Sequence, residues 1–268
     1  MNPTLMAIGG AMRLDGAVLA ELYARCGGRS GRMVILPTAS GNADAGEREA
    51  AALQSLGLQA APIILPVRSR EQAQKDEYIR VIENASGIFL CGGNQMRLTA
   101  VLAGTPLLAA IQRAYQNGCT FAGTSAGAAA LSAMMIAYGK SGQAPRHGIV
   151  QLVPGLGLTD KVIFDQHFNQ RNRLGRLIYV VTTTPNLLGI GVDENTAAVL
   201  TEGQIMAIGA GGVTIVDGSQ LSDSTTAELE KEQLAAYSKI ELHLLTDGGV
   251  YDIPTRKAKL AKTILSTE

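Results

Sequence analysis

Short apolar runs alternate with amphipathic stretches through the first two thirds of the chain. The apolar runs are typical of buried strands, and they predict strands at 5–8, 33–36, 63–65, 87–90, 120–122, 161–164 and 188–192. The amphipathic stretches predict helices at 16–25, 45–56, 71–84, 95–102, 106–116, 126–134 and 170–182. Strands that alternate with helices form a mostly parallel sheet covered on both faces. The pattern therefore predicts an α/β fold, a three-layer α/β/α sandwich.

After about residue 195 the pattern changes to short strands, predicted at 197–200, 204–208, 213–216 and 240–245. Gly, Asp and Ser separate them, which is typical of antiparallel hairpins, here at the edge of the main sheet. The polar segment 218–238 is expected to be a surface insertion with one short helix. The chain contains no internal repeat or linker, so a single domain over 1–268 is expected.

Composition excludes several classes of partner. Lys plus Arg and Asp plus Glu number 23 each, so no net field attracts nucleic acid or an anionic membrane. Aromatic residues make up only 4%, too few for base-stacking platforms, and no apolar run approaches the ~20 residues of a membrane span. The glycine-rich stretches 8–11 and 209–212 fit neither nucleotide-binding motif, and no metal or other cofactor is expected.

The three cysteines, Cys26, Cys91 and Cys119, are odd in number and lack the C-x-x-C spacing of zinc and redox sites. We expect them to be buried thiols in a reducing compartment. The chain also begins without a charged segment followed by an apolar stretch and a cleavage site. A cytoplasmic location is therefore expected.

The most informative stretch is Gly-Thr-Ser-Ala-Gly at 123–127, between an apolar run and a predicted helix. A serine flanked by small residues at a sharp strand-to-helix turn is typical of a nucleophile elbow. The free N–H groups at the start of the helix can stabilise an anion beside the serine oxygen. A glycine-rich turn can also be plain architecture, so Ser125 needs partners to be a nucleophile.

A serine nucleophile requires a base, and the chain has three histidines. His147 follows a segment of loop composition and is expected to be solvated. His243 lies in an alternating strand and is expected to be structural. His167 follows a buried strand, at the carboxyl end where α/β sheets place their catalytic residues, which makes it the candidate base.

The third member of such a site is a carboxylate that orients the imidazole. The buried run 189–192 ends in Asp193 and Glu194. Successive strand residues point to opposite faces, so only one of the two can serve. Both can instead cap the turn, and the residues alone leave the choice open. The order serine, histidine, acid differs from that of α/β-hydrolases.

Three arginines, Arg171, Arg173 and Arg176, follow His167 within a few residues. Guanidinium groups bind carboxylates, so this cluster would suit a substrate with a carboxylate on its backbone. Arg173 and Arg176 are three residues apart and share a helix face. A solvated basic face is the alternative interpretation.

Six segments, 8–10, 37–40, 91–98, 123–129, 165–177 and 189–197, together resemble the cyanophycinases. These are serine peptidases with the class I glutamine amidotransferase-like fold. The segments occur in the family's order between about residues 5 and 217. The segment 165–177 is the most specific, whereas G-x-S-x-G alone would not distinguish this family.

The resemblance implies a serine exopeptidase that hydrolyses cyanophycin, a poly-aspartate with arginine on each side-chain carboxyl, to β-Asp-Arg dipeptides without a metal. It implies an acyl-enzyme on Ser125, with His167 as general base and then acid, and Glu194 rather than Asp193 as orienting carboxylate. The backbone N–H groups of Gly93 and Ala126 would form the oxyanion hole.

The same resemblance favours substrate recognition by the cluster Arg171, Arg173 and Arg176, with Gln95 and Gln166 as neutral partners. Asp165 is the nearest candidate for the substrate guanidinium. A homodimer is also implied. Two alternatives stay open: an aspartyl or isoaspartyl dipeptidase of the same fold, and a non-catalytic binding protein that retains the fold.

Overall fold

A computed structural model describes residues 3–261. The strands are β1 (Thr4–Ile8), β2 (Met33–Leu36), β3 (Ile63–Ile64), β4 (Gly87–Leu90), β5 (Thr120–Thr124), β6 (Met134–Gly139), β7 (Val150–Pro154), β8 (Val162–Gln166), β9 (Leu188–Val192), β10 (Thr196–Thr201), β11 (Gln204–Gly209), β12 (Val213–Asp217), β13 (Asp223–Ser224), β14 (Tyr237–Ser238), β15 (Glu241–Leu245), β16 (Val250–Asp252) and β17 (Lys257–Lys259). The α-helices are α1 (Ala17–Arg25), α2 (Glu47–Ser55), α3 (Asp76–Glu83), α4 (Gln95–Leu102), α5 (Pro106–Gln116), α6 (Ala126–Ala129) and α7 (Leu174–Thr183). Within residues 3–261, every helix is too short or too polar to cross a bilayer.

The largest sheet has the strand order β17-β16-β11-β10-β1-β5-β4-β2-β3. Neighbouring strands in the part β1-β5-β4-β2-β3 are parallel, and helices connect these strands along the chain. The strands from β10 to β17 extend the other side of the sheet by antiparallel pairing. The mixed α/β class and the mostly parallel centre are thus as the hydrophobic pattern predicts.

Helices cover both faces of this sheet. On one face α1 packs on the sheet through Leu19 and Leu22, in a core that includes Ile35 and Phe89. On the other face α4 and α5 contribute Leu98 and Ile111 to a second core. The alternating direction of strand side chains supplies both cores, because buried parallel strands are apolar on both faces.

A second sheet, of order β15-β12-β9-β8, packs on the same side as α3 to α5. Its outer face is covered by α7, whose Leu177 and Val181 contact the buried Ile163 and Val216. The sequence pattern predicts that all the strands belong to one main sheet. This prediction is wrong for β8, β9, β12 and β15, which form a separate sheet. Continuous apolar strands show that both faces are buried but do not show which strand lies beside them.

Three predicted helices are shorter than expected. The helix predicted at 126–134 ends at Ala129, and Met134 begins strand β6 instead. The stretch 71–84 divides into the 3₁₀ turn Gln72–Gln74 and α3, because Lys75 is extended. The stretch 170–182 likewise begins with the 3₁₀ turn Asn169–Arg171, and α7 starts only after the left-handed Asn172.

The segment 218–238 forms the short hairpin β13–β14 around the 3₁₀ turn Thr226–Glu228, which takes the place of the expected short helix. A further hairpin, β6–β7, was not expected from the pattern. The prediction of one domain over 1–268 includes residues 1–2 and 262–268, which lie outside the described residues. The carboxyl ends of β1, β4 and β5 meet those of β8 and β9 at one edge, and the candidate site lies there.

Candidate active site

Ser125 occupies the sharp turn between β5 and α6. Its backbone has φ 52° and ψ −116°, a conformation that L-residues rarely adopt. The turn requires small neighbours: a Cβ on Gly123 would lie 2.5 Å from the backbone of Gly127. The Ser125 N–H donates to the carbonyl of Ile8 at 2.9 Å, so the end of β1 supports the turn. The serine oxygen is thereby presented at the carboxyl edge of the sheet.

His167 follows β8 and connects the serine to a carboxylate. Its Nε2 lies 2.8 Å from Ser125 Oγ, and its Nδ1 lies 2.6 Å from Glu194 Oε1. A carboxylate on Nδ1 fixes the tautomer in which Nδ1 carries the proton and Nε2 can accept one. This arrangement can deprotonate the serine hydroxyl and stabilise the imidazolium that results.

Asp193 and Glu194 point in different directions from the end of β9. The buried carboxylate of Asp193 accepts from the backbone N–H and side-chain amide of Asn169 and from the N–H of Gly212, each at 3.0 Å. The backbone N–H of Glu194 donates to Gln170 Oε1 at 3.1 Å. Asp193 therefore holds the loop after His167, and Glu194 contacts the imidazole.

The backbone of residues 8–10 joins the three loops that carry these side chains. The carbonyls of Ile8, Gly9 and Gly10 accept, in order, from the N–H groups of Ser125, His167 and Asn195, at 2.9, 2.8 and 2.8 Å. Asn195 directly follows Glu194. One short segment at the end of β1 thus sets the relative positions of the serine, the histidine and the carboxylate.

A cavity of ≈ 340 Å³ opens beside Ser125. Its walls include the candidate substrate-binding residues Gln95, Gln166, Arg171, Arg173 and Arg176, together with Gly93. The volume lies at the lower end of the range for small-molecule sites. The substrate-binding candidates that were chosen from sequence therefore line one cavity, with the exception of Asp165.

Asp165 is buried and binds two of the arginines. Its carboxylate accepts from Arg176 Nε at 2.6 Å and Nη2 at 2.5 Å, and from Arg173 Nη1 at 3.3 Å. This corrects the role expected for Asp165, because a carboxylate already engaged by two arginines is not free to bind a substrate guanidinium. It instead holds the two guanidinium groups at the cavity wall.

The arginines differ in burial and in their partners. Arg173 and Arg176 are 8% and 5% exposed, whereas Arg171 is exposed. Arg176 also donates to the carbonyl of Gly139 at 3.1 Å, and Arg173 Nη1 donates to the carbonyl of Gln166. Burial lowers the pKa of Arg173 to about 10, so its guanidinium remains charged at neutral pH. With Arg171 added, positive charge dominates this wall of the cavity.

The two glutamines are held in different ways. The side-chain amide of Gln95 donates to the carbonyls of Ile136 and Ala137 at 3.2 and 2.8 Å, which fixes its Oε1 as an available acceptor. The backbone N–H of Gln166 donates to Asp165 Oδ1, and its buried Oε1 has no hydrogen-bond donor among the described residues. An unpartnered buried polar atom is unfavourable unless a ligand or water satisfies it.

Burial sets the protonation state of His167. It lowers the pKa of the imidazole below its usual range, and the cations Arg171 and Arg173 act in the same direction. The hydrogen bond and charge of Glu194 oppose this effect in part. The imidazole is therefore neutral at neutral pH, the state in which Nε2 can accept a proton.

Two backbone N–H groups lie beside Ser125. Gly93 has φ 145°, and a Cβ there would lie 2.2 Å from the carbonyl oxygen of Ala39, so the position requires glycine. Ala126 is the first residue of α6. Within residues 3–261, neither N–H donates to another group of the protein. Free N–H groups next to a serine oxygen can stabilise an oxyanion.

The other two histidines pack elsewhere. His147 lies edge-on against Tyr179, with ring centroids 6.0 Å apart, and is half-buried rather than solvated. His243 lies in β15, 5.0 Å from the ring of Tyr251. No group of three or more His, Cys, Asp or Glu side chains with the arrangement of a metal site occurs in the described part of the chain.

Sequence reasoning used segment 8–10 for the family resemblance but gave Gly9 and Gly10 no part in the geometry of the site. It also left Asp193 and Gln170 without a part in the site. The signal was present for the glycines, because two successive glycines at the end of a central strand indicate close approach of another backbone or side chain. No local pattern indicated that Gln170 would bind the backbone of Glu194.

Comparisons with known proteins identify the family of this chain. The family model described as peptidase family S51 matches residues 5–208. A cyanophycinase from Trichormus variabilis is 38% identical over 257 residues, covering 94% of this chain and 86% of the relative. A cyanophycinase from Geminocystis herdmanii is 36% identical over 262 residues, covering 96% of both.

Two solved structures share the fold. A peptidase from an acI-B1 Actinobacterium superposes with a TM-score of 0.65 at 23% identity, covering 90% of this chain and 97% of that one. A putative peptidase E protein from Listeria monocytogenes EGD-e has a TM-score of 0.55 at 18% identity, covering 78% of this chain and 100% of that one. At these identities the likeness is one of fold.

Proposed function

Because the chain belongs to peptidase family S51 and is a serine-type peptidase, we propose that it hydrolyses cyanophycin to β-Asp-Arg dipeptides. The observation that carries this proposal is the Ser125–His167–Glu194 triad beside a cavity with three arginines in its wall. Cyanophycin carries a free carboxylate on each arginine, which is the group that guanidinium side chains bind. The cyanophycinases that this chain resembles along 94–96% of its length support the same substrate.

In the proposed mechanism the strand–turn–helix at Ser125 acts as a nucleophile elbow. His167 Nε2 accepts the hydroxyl proton as Ser125 Oγ attacks the carbonyl carbon of an aspartate backbone amide. The C–N bond breaks as His167 returns the proton to the departing amine, which leaves an acyl-enzyme on Ser125. Water then attacks the ester with the help of the same imidazole, and Glu194 stabilises its charged form in both steps.

The tetrahedral intermediates place a negative charge on the former carbonyl oxygen. We assign its stabilisation to the N–H groups of Gly93 and Ala126, the two free donors beside Ser125. Removing one such donor typically costs about 3 kcal/mol of transition-state stabilisation. Gly93 lines the same cavity as Ser125, which supports this role.

Substrate recognition is assigned to the arginine wall. Arg171 is exposed and has no side-chain ion pair among the described residues, so it offers its whole guanidinium to a substrate carboxylate. Arg173 and Arg176 are held by Asp165 and add positive potential at fixed positions. The acceptor oxygens of Gln95 and Gln166 suit the N–H groups of an amide or a guanidinium.

An aspartyl or isoaspartyl dipeptidase is the alternative activity. The Ser125–His167–Glu194 triad would catalyse that reaction equally well, but a small acidic dipeptide does not require three arginines in one wall of the cavity. The putative peptidase E protein resembles this chain at the level of fold alone. A non-catalytic binding protein is disfavoured because Ser125 and Glu194 each lie within hydrogen-bond distance of His167, one on each ring nitrogen.

The decisive experiment is incubation of the purified protein with insoluble cyanophycin and analysis of the products by mass spectrometry. Release of β-Asp-Arg by the wild type, and none by Ser125→Ala, is the expected result. If the enzyme cleaved short isoaspartyl dipeptides and left the polymer intact, the proposed cyanophycinase activity would be wrong and the enzyme would be a dipeptidase. Turnover of neither would overturn the catalytic assignment.

The homodimer that the resemblance implies and the cytoplasmic location that the cysteines and the first residues indicate are both proposals. The three cysteines are free and buried, and burial raises the pKa of Cys91 and Cys119 to about 12, which suits inert thiols in a reducing compartment. Light scattering coupled to size-exclusion chromatography measures the mass directly. A mass of one chain in solution would exclude the dimer.

A further inference from the structure

A second cavity lies next to the active-site cavity and shares Tyr138 and Gly139 with it. It measures ≈ 370 Å³ and is also lined by Lys140, Gln151, Lys231 and Glu232. We propose that this second cavity binds the β-Asp-Arg units of the polymer that lie beyond those flanking the scissile bond. The inference rests on the proposed function, because only a polymeric substrate extends past the first cavity.

The wall between the two cavities is built by a β-bulge. In the β6–β7 hairpin Ile136 pairs with Leu152 and Tyr138 pairs with Gln151, so Ala137 is the extra residue. Bulges change the direction of the following side chain and occur often beside active sites. The Tyr138 side chain is 59% exposed although it is large and aromatic. The bulge thus presents an aromatic face where a chain leaving the first cavity would cross.

Backbone pairing holds the outer wall of the second cavity. The N–H of His147 donates to Gln233 at 3.0 Å, and the N–H of Glu232 donates to His147 at 2.8 Å. Lys140 and Glu232 add an ion pair at 2.6 Å. The loop after β6 and the polar insertion are therefore joined, which gives the insertion a position beside the substrate path.

The chemistry of this cavity matches a repeating unit that carries one guanidinium and one carboxylate. A guanidinium stacks favourably on the face of a tyrosine. Lys231 has no salt bridge among the described residues, and its side chain passes close to Gly148 at the cavity edge. Its ammonium can bind the carboxylate of the same unit as a point charge.

The test compares a long and a short substrate. Tyr138 borders both cavities, so the decisive substitution is Lys231→Glu, in a residue that lines the second cavity alone. We expect it to raise the apparent KM for cyanophycin about three- to tenfold, as loss and reversal of an exposed ion pair would. Hydrolysis of (β-Asp-Arg)₂, the shortest substrate with the scissile bond, should keep the wild-type kcat and KM.

Lys257→Glu is the matched control, because Lys257 is an exposed lysine of β17 and the change in net charge is the same. It should leave both substrates unaffected. An unchanged polymer KM in Lys231→Glu, or an equal change for the short substrate, would overturn the second binding site while cyanophycin hydrolysis stands. A wild type that cleaves no polymer would overturn the proposed function together with this inference.

Discussion

The imidazole of His167 occupies the space that a side chain on Gly10 would require. A Cβ on Gly10 would lie 2.2 Å from Cε1 and 2.5 Å from Nε2 of that ring. The backbone of Gly10 has φ 107°, and its carbonyl accepts from the N–H of Asn195. Gly10 therefore brings the histidine close to the end of β1, and its backbone fixes the residue after Glu194.

Gly10→Ala is expected to displace the His167 ring from Ser125 and to lower kcat about 100-fold, the effect typical of an ångström-scale misplacement of a reacting group. KM should change little, because the atoms nearest to the new Cβ belong to His167 and not to the arginine wall. Steady-state kinetics with the polymer or a short oligomer measures this separation of kcat from KM.

The control for backbone strain is Gly57→Ala. Gly57 has φ 101°, and its nearest neighbour to a new Cβ is Tyr23 Oη at 3.6 Å, an ordinary contact. Both variants therefore carry a similar conformational cost, but only Gly10→Ala meets the imidazole. If Gly57→Ala lowered kcat as much as Gly10→Ala, the loss would reflect general strain and not the position of His167.

Ser125 and His167, which lie within hydrogen-bond distance of each other, could be chosen as candidates from sequence because their signals are local. A G-x-S-x-G turn after an apolar run, and a histidine at the end of another, depend only on residues close in the chain. The closeness of Gly10 and His167 depends on which strands are neighbours. Because β8 and β9 belong to a different sheet from β1, no local pattern contains that contact.

Ser125→Ala is expected to lower kcat by at least about 10⁴-fold, since removal of the nucleophile leaves only binding and oxyanion stabilisation. The free energy of unfolding should change by less than about 1 kcal/mol, because the side chain loses one hydrogen bond, to His167. Thermal unfolding of the same preparation provides the control. Retention of normal turnover would exclude Ser125 as the nucleophile.

Asp193 and Glu194 should respond differently to loss of charge. Glu194→Gln should lower kcat with little effect on stability, because its carboxylate contacts the imidazole at the surface of the site. Asp193→Asn should instead cost about 1–3 kcal/mol of stability, since an amide nitrogen would face one of the N–H donors that the carboxylate accepts. Equal kcat losses at unchanged stability in both variants would contradict this division.

The residues alone left the choice between these two acids open, and the reason is geometric. Alternation along β9 requires opposite directions but does not say which face holds the histidine. The resemblance favoured Glu194, and Glu194 is the acid that lies on His167 Nδ1 in the structure. The structure also shows what Asp193 does: its carboxylate accepts three hydrogen bonds, two from Asn169 and one from Gly212.

Arg171 and Arg176 are expected to separate binding from stability. Arg171→Ala should raise KM for the polymer about tenfold without loss of stability, since the side chain is exposed and charge-assisted hydrogen bonds are worth about 1.5–3 kcal/mol. Arg176→Ala should destabilise the fold by about 3 kcal/mol, because it removes the closest partner of the buried Asp165. Chemical denaturation and kinetics on both variants measure the two effects. A stable Arg176→Ala protein would show that Asp165 is satisfied by Arg173 alone.

The pH dependence of kcat/KM should follow His167, which must be neutral to act as a base. Burial lowers its pKa below the usual range, so activity should persist below pH 6.5 and fall as the imidazole becomes protonated.

Arg171→Ala removes a cation that opposes protonation of His167, and the acid limb of the kcat/KM profile should move to higher pH. Glu194→Gln removes a group that favours protonation, and the limb should move to lower pH. Arg113→Ala, at a surface pair with Glu83, controls for net charge and should leave the limb unmoved. Shifts of the same sign in the Arg171 and Glu194 variants would show that another group controls this limb.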